Sequence, residues 1–406
     1  MKKVVLLILA LVMVAAMFAG CGQQVQASAS PSEAASAAAS SAAPASSEAA
    51  SATAAASAAG VMPAVAKDKI KVGVIHITDP SEGSGYTYTH DLGIQKMQKE
   101  LGLRDDQIVR KNNVNDADPT AIETAMRECV EEGCNIIFAT SWGFMDTCEA
   151  LSKEFPDVIF SHGTGYKSNG KNFNNYFGRI YQARYLAGIA AGLKTESNKI
   201  GYVAAQGKDN SEVTGGLNAF AMGIQLVNPD AKVYVKVTNS WFDPAGEANA
   251  AKALIAEGCD VIGQHCDTPN PQLEAEKAGV WGVGYNSDMS KDAPKAVLTS
   301  VVWDWGVYYT AAVKSVIDGT WTGENYFGGM KEGLVGISPL SEGLVAEGTA
   351  DAIEKAKAKI LDGSFNVFDG VLKTNDGKTI GEAGKTLDDA TITGGINWYY
   401  ENVVAQ

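Results

Sequence analysis

Asn135-Ile136-Ile137-Phe138-Ala139-Thr140-Ser141-Trp142-Gly143-Phe144-Met145-Asp146 is the stretch on which the fold turns. Its opening apolar run has no polar alternation, which fits a short strand buried on both faces. The run stops at Thr140-Ser141, and a helical pattern takes over from Phe144 to Phe155. Just upstream, Gly133 ends another helix that opens at Asp118-Pro119, with Asp118 as N-cap and Pro119 in the first turn. Helix, buried strand, strand-end loop and helix, repeated along a chain, build a parallel sheet covered on both sides.

The alternation extends both ways. Upstream, Ile70–Ile75 reads as a strand and Asp91–Leu101 as a helix ended by Gly102. Downstream, Val158–Ser161 is a strand and Tyr181–Leu193 a helix. The pattern then restarts, with strands over Lys199–Ala204, Lys232–Val237, Asp260–Gln264 and Val280–Gly284. Helices over Val213–Val227, Pro244–Glu257 and Pro271–Ala278 separate them. The tail adds a strand at Ala296–Val301 and helices at Trp305–Ile317 and Ala350–Leu361. Val371–Ile380 reads as a hairpin turning at Asp376-Gly377. The expected fold class is α/β, with two doubly wound Rossmann-like lobes joined by a hinge that the chain crosses more than once. The expected first lobe is 67–180 plus 288–325, and the second 181–287 plus 326–406. A cleft between such lobes takes its ligand at the carboxyl ends of the strands.

Residues 1–20 have the layout of a secretory signal: Lys2 and Lys3, an apolar run from Val4 to Phe18, then Ala19-Gly20 before Cys21. The run is short for a membrane span, which needs about 20 residues. The layout resembles a lipobox, so Cys21 is expected to carry lipid and hold the chain outside the cytoplasm on the bacterial cell membrane. Residues 22–66 are mostly Ala and Ser without an aromatic, and read as a disordered tether. As a flexible chain it would reach on the order of 40 Å. The formal charge of −14 argues against nucleic acid as a partner. Of six cysteines, five remain after Cys21. An odd number cannot all pair internally, and buried free thiols are favoured over a bond among Cys129, Cys134 and Cys148.

The loops after the strands are unusually aromatic. They carry Tyr86 and Tyr88, Trp142 and Asp146, Tyr166, Trp241 and Phe242, Asp267, then Asn286 and Asp288. Flat faces beside carboxylates and amides suit a planar, hydrogen-bonding ligand such as a nucleobase. Asp91, Asp118 and Asp243 are better explained as helix caps. No nucleophile elbow, phosphate loop or His-Glu-x-x-His occurs, so neither an enzyme nor a metal or cofactor site is expected. His90 beside Asp91 is not a dyad, since adjacent helix positions diverge. His76 reads as core. The Asn113–Asp118 cluster lacks the Gly and Glu of a calcium loop.

The chain resembles the basic membrane protein family of bacterial lipoproteins, the purine-nucleoside receptors of ABC importers. The resemblance is carried by Phe138–Asp146, Tyr176–Gly188, Lys199–Ala204, Asn239–Pro244 and Gly284–Met289. It implies the two-lobed type I periplasmic-binding fold, hinge closure on the ligand, and delivery by a monomer to a membrane permease. It also implies that Tyr86, assisted by Tyr88, stacks on the purine and that Asp146 reads the base. Trp241 or Phe242 is the candidate for the opposite wall. The family's ribose-binding aspartate is replaced here by Asn286, with Asp288 retained. Its late-strand lysine after Thr299-Ser300 is missing; Val301-Val302-Trp303 follow, and the indole of Trp303 is expected to replace the cation and fill its space. Both departures weaken a ribose clamp and favour a free base, adenine first, over a nucleoside. A sugar receptor or a surface adhesin of the same fold are the rival readings.

Overall fold

The computed structural model describes residues 60–405. The signal segment, Cys21 and most of the expected tether lie outside the described residues. Buried runs become strands at β1 Val72–Ile75, β2 Ile108–Lys111, β3 Ile136–Ala139, β4 Ile159–Gly163 and β5 Phe173–Gly178. A second group follows as β6 Lys199–Ala204, β7 Lys232–Val237, β8 Val261–His265, β9 Trp281–Asn286 and β10 Val297–Trp303. Shorter strands are β11 Tyr326–Gly328, β12 Val335–Ile337, the hairpin pair β13 Leu372–Lys373 and β14 Thr379–Ile380, and β15 Val403–Ala405. The helices are α1 Gly85–Leu101, α2 Pro119–Glu131, α3 Met145–Glu154, α4 Ile180–Lys194 and α5 Ser211–Val227. They continue with α6 Pro244–Ala256, α7 Asn270–Ala278, α8 Trp305–Asp318, α9 Thr349–Asp362 and α10 Asp389–Gly394.

One sheet runs β11-β5-β4-β3-β1-β2 and the other β12-β10-β9-β8-β6-β7-β15. The register in the first pairs Val72 with both Ile108 and Ile136, all parallel. In the second, only β12 is antiparallel to its neighbour, β10. Every residue of β1, β3 and β8 is buried, as a parallel sheet covered on both faces requires. This is the expected two-lobed α/β architecture.

The division of the tail differs from the expectation. Val297–Trp303 was placed in the first lobe, but it forms a central strand of the second sheet, parallel to β9. An apolar run says that a strand is buried, not in which sheet. The chain leaves for the first lobe at Asp304, where α8 packs along α1. Lys96 Nζ meets Asp304 Oδ2 at 2.5 Å, and Thr310 Oγ1 donates to Glu100 at 3.0 Å. A Cβ on Gly93 would sit 2.8 Å from Gly306 N, so the two helices touch through bare backbone. The chain adds β11 to the first sheet and returns with β12.

Two further expectations are corrected. Helix α1 starts at Gly85, not Asp91, so Asp91 is no cap; it lies within the helix and is ion-paired with Arg110 at 2.6 Å. The tether was drawn to residue 66, yet residues 60–66 dock on the first lobe. Gly60 and Val61 N–H groups donate to Gly319 O and Trp321 O at 2.9 and 2.7 Å, Val65 N–H donates to Val316 O at 3.1 Å, and Met62 is buried. Met62 and Val65 supply the apolar contact of this segment, while Val61 is exposed. The five cysteines other than Cys21 are free and buried.

Candidate functional site: a cavity between the lobes

The cavity lies where the carboxyl ends of both sheets face each other and spans about 320 Å³, part of it open to solvent. The first lobe contributes Ile77 after β1, Tyr86 in the first turn of α1, Ser141 and Trp142 after β3, and Thr164 after β4. The second contributes Glu212 in the first turn of α5, Trp241 after β7, Asp267 after β8 and Tyr285 on β9. Tyr86 Oη donates to Thr140 O, which fixes the ring against the strand end. Thr164 is held at φ 70°, a conformation that a β-branched residue resists, and its N–H donates to Tyr176 O at 3.1 Å. One lip is closed directly. Gly85 N–H donates to Ser287 Oγ at 3.0 Å and Ser84 Oγ to Asp292 Oδ2 at 3.0 Å. A Cβ on Gly85, at φ 83°, would lie 2.1 Å from Asp267 O, so this approach of the lobes needs glycine.

The second lobe supplies the charge. Burial pushes the Asp267 carboxyl well above its ordinary range, and Glu247 nearby adds to the shift. Its Oδ1 accepts from Asn286 Nδ2 at 3.1 Å. Burial raises Glu212 to about 8, against the pull of Arg184. His265, 3.6 Å from Glu212, is driven well below its usual value by burial and by Arg184, so it is neutral. Arg184 is itself buried. It donates to Gln264 O and lies 3.9 Å from the Tyr285 ring centroid. The cavity therefore presents two carboxyl groups held towards their protonated form beside aromatic faces. A protonated carboxyl offers one donor and one acceptor.

Of the residues expected at the site, Tyr86, Trp142, Trp241 and Asp267 line this cavity. Asp146 does not. The turn at Trp142–Phe144 carries it onto the outer face of α3, where its side chain is 83% exposed and accepts from Lys167 Nζ at 2.8 Å. Tyr166 is exposed beside Trp142, with ring centroids 5.9 Å apart. Phe242 lines an open groove with Asn113–Ala117 that adjoins the cavity through Ile77 and Trp241. Tyr88, Asn286, Asp288 and Trp303 line a depression of their own. Within it Asn286 orients Asp267, and Asp288 caps the turn at Met289–Lys291. Trp303 stacks on Trp305 and points its indole N–H at Tyr285 Oη, 3.4 Å away. It backs the cavity wall without lining it. Glu212, Tyr285, Thr164, Ser141 and Ile77 were not anticipated. Glu212 follows β6 as the other site residues follow their strands, and the strand-end rule applied to β6 points to it.

The family model of the ABC transporter substrate-binding proteins that are PnrA-like, named Bmp, matches residues 69–365. A "Purine-binding protein" of Brucella abortus is 39% identical over 340 residues, covering 84% of this chain and 94% of its own length. A "Putative ABC transporter glucose-binding protein" of Haloferax volcanii is 35% identical, covering 70% of this chain and 71% of its own. The crystal structure of a solute-binding protein of an ABC transporter system from Aeropyrum pernix superposes with a TM-score of 0.62 at 19% identity. It covers 73% of this chain and 92% of that one, and supports the fold. The chain belongs to the Bmp family of PnrA-like ABC-transporter substrate-binding proteins, and is a transport receptor of extracytoplasmic, membrane-associated location, not an enzyme.

Proposed function

We propose that the interlobe cavity binds a free purine base, adenine ahead of others, and that closure of the lobes presents it to a membrane permease. The observation that carries this is the pairing of aromatic walls with the raised carboxyls of Asp267 and Glu212. A neutral carboxyl matches adenine, whose exocyclic N–H donor stands beside a ring-nitrogen acceptor. An ionised carboxylate, with acceptors alone, matches the paired N–H donors of guanine. The 39% identical relative named for purine binding supports the ligand class.

Calorimetry with adenine, guanine, hypoxanthine, adenosine and glucose at pH 6, 7 and 9 tests this reading. Adenine is expected to bind tightest, and its affinity to fall as pH rises through about 8, where Glu212 ionises. The sign follows because the complex uses the protonated acid, so above about 8 binding must also supply the free energy of protonating it. Adenosine binding more tightly than adenine would sink the free-base assignment. Glucose binding with no purine response would favour the sugar reading, which the 35% identical relative keeps in play.

Attachment is proposed through a lipid on Cys21, with the receptor acting as a monomer. In cells, Cys21→Ser is expected to move the protein from the membrane to the soluble fraction. Unchanged membrane retention would refute lipidation at this residue.

A further inference from the structure

The interlobe cavity has a neighbour. A second cavity, about 450 Å³ with its part open to solvent, shares Trp142, Thr164 and Glu212 with it, so the two form adjoining chambers with Glu212 at their boundary. Phe177, Tyr181, Phe327 and Ile392 give the second chamber an apolar wall. Gly215 and Gly216 present bare backbone from the first turns of α5. Glu212 is the charged residue of its lining. The nearby Arg179 is occupied by Asp389 at 2.7 Å and by the Phe327 ring at 4.7 Å, and does not line the space. Thr393 Oγ1 donates to Asp389 O at 2.7 Å within its own helix. A phosphate would meet no cation there, and a ribose few free hydrogen-bonding groups. Ile392 and Thr393 belong to α10, beyond residue 365 where the family match ends.

We propose that the receptor takes adenines bearing an uncharged alkyl group on the exocyclic amino nitrogen, with the purine in the first chamber and the alkyl group in the second. This rests on the purine reading above. Alkylation at that nitrogen leaves one N–H to reach Glu212 at the boundary, and leaves the adjacent ring nitrogen as an acceptor. The chain then runs past Glu212 onto the apolar wall, where each buried methylene adds affinity.

Calorimetry of the purified protein with adenine, N6-butyladenine and N9-butyladenine decides the matter. N6-butyladenine is expected to bind at least tenfold more tightly than adenine, and N9-butyladenine at least tenfold more weakly than its isomer. Thr393→Phe, or Ser211→Phe on the facing wall should the first variant not fold, is expected to bring the ratio of N6-butyladenine to adenine affinity close to one. N6-butyladenine binding no more tightly than adenine, or a ratio untouched by both variants, overturns the two-chamber assignment and leaves the purine reading standing. Failure of all three compounds to bind overturns the purine reading, and this inference with it.

Discussion

Replacing Asp267 with alanine is expected to lower purine affinity by about 100- to 1,000-fold, the loss of two hydrogen bonds made in a desolvated site. The side chain is 7% exposed, and Asn286 already holds one of its oxygens in place, so little ordering remains for the ligand to impose. Asp267→Asn separates shape from chemistry. An amide keeps one donor and one acceptor, and its oxygen has a second lone pair beside the one used by Asn286. Adenine affinity in Asp267→Asn is therefore expected to stay within about tenfold of wild type, while guanine gains nothing at high pH. Calorimetry on both variants checks this. Equal losses in Asn and Ala would show that Asp267 acts as a carboxylate, and no loss in Ala would remove it from the site. Asp146→Ala is the natural control, since its carboxylate is already on Lys167 in solvent.

Trp305→Ala is expected to cost about 3–5 kcal/mol of stability, as deletion of a large side chain from a filled core does. Trp305 is fully buried, with His90 at 4.4 Å and 14° on one face and Trp303 at 4.2 Å and 12° on the other. Burial holds His90 well below its ordinary pKa, so this stack carries no charge at neutral pH. Trp303 ends a strand of the second sheet, and Trp305 opens the helix that packs in the first lobe. The stack thus fastens the chain where it passes between lobes. Urea unfolding should show a lower midpoint with an unchanged slope. A loss under about 1 kcal/mol would mean that neighbouring rings collapse into the space and that the stack does not fasten the crossing.

The strands that were legible are those whose own residues carry the apolar signal. Lys199–Ala204 and Lys232–Val237 agree in both bounds, and Ile136–Ala139 differs by one residue. Five strands, β2, β5, β11, β12 and β15, went unseen, and for the two longest the reason is physical. Ile108–Lys111 is an edge strand, and its Arg110 and Lys111 are half-exposed and paired with acids. Phe173–Gly178 contains Asn174 and Asn175, buried with their side-chain N–H groups bonded to Tyr308, Glu324 and His162 and with the Asn175 backbone N–H on Asn325. Those partners lie up to 150 residues away in sequence, beyond any local pattern. The start of α1 was hidden likewise, since Thr87, Tyr88 and Thr89 are weak helix formers overruled by burial. At the site, loop position identified Trp142, Trp241 and Asp267. Which face of an element a residue takes was not readable, so Asp146, on α3, was expected inside and Tyr285, on β9 one position before Asn286, was passed over.

The segment at 60–66 bears on which jaw an upstream attachment would hold. It is stitched to Gly319, Trp321 and Val316, all on the half that carries Tyr86 and Trp142. For any attachment upstream of Gly60, that half is the moored one. Glu212, Asp267 and Trp241 then ride on the free half. Opening becomes a swing of the acidic jaw away from a fixed aromatic shelf, and a purine arriving from outside would settle on the shelf before the acids close over it.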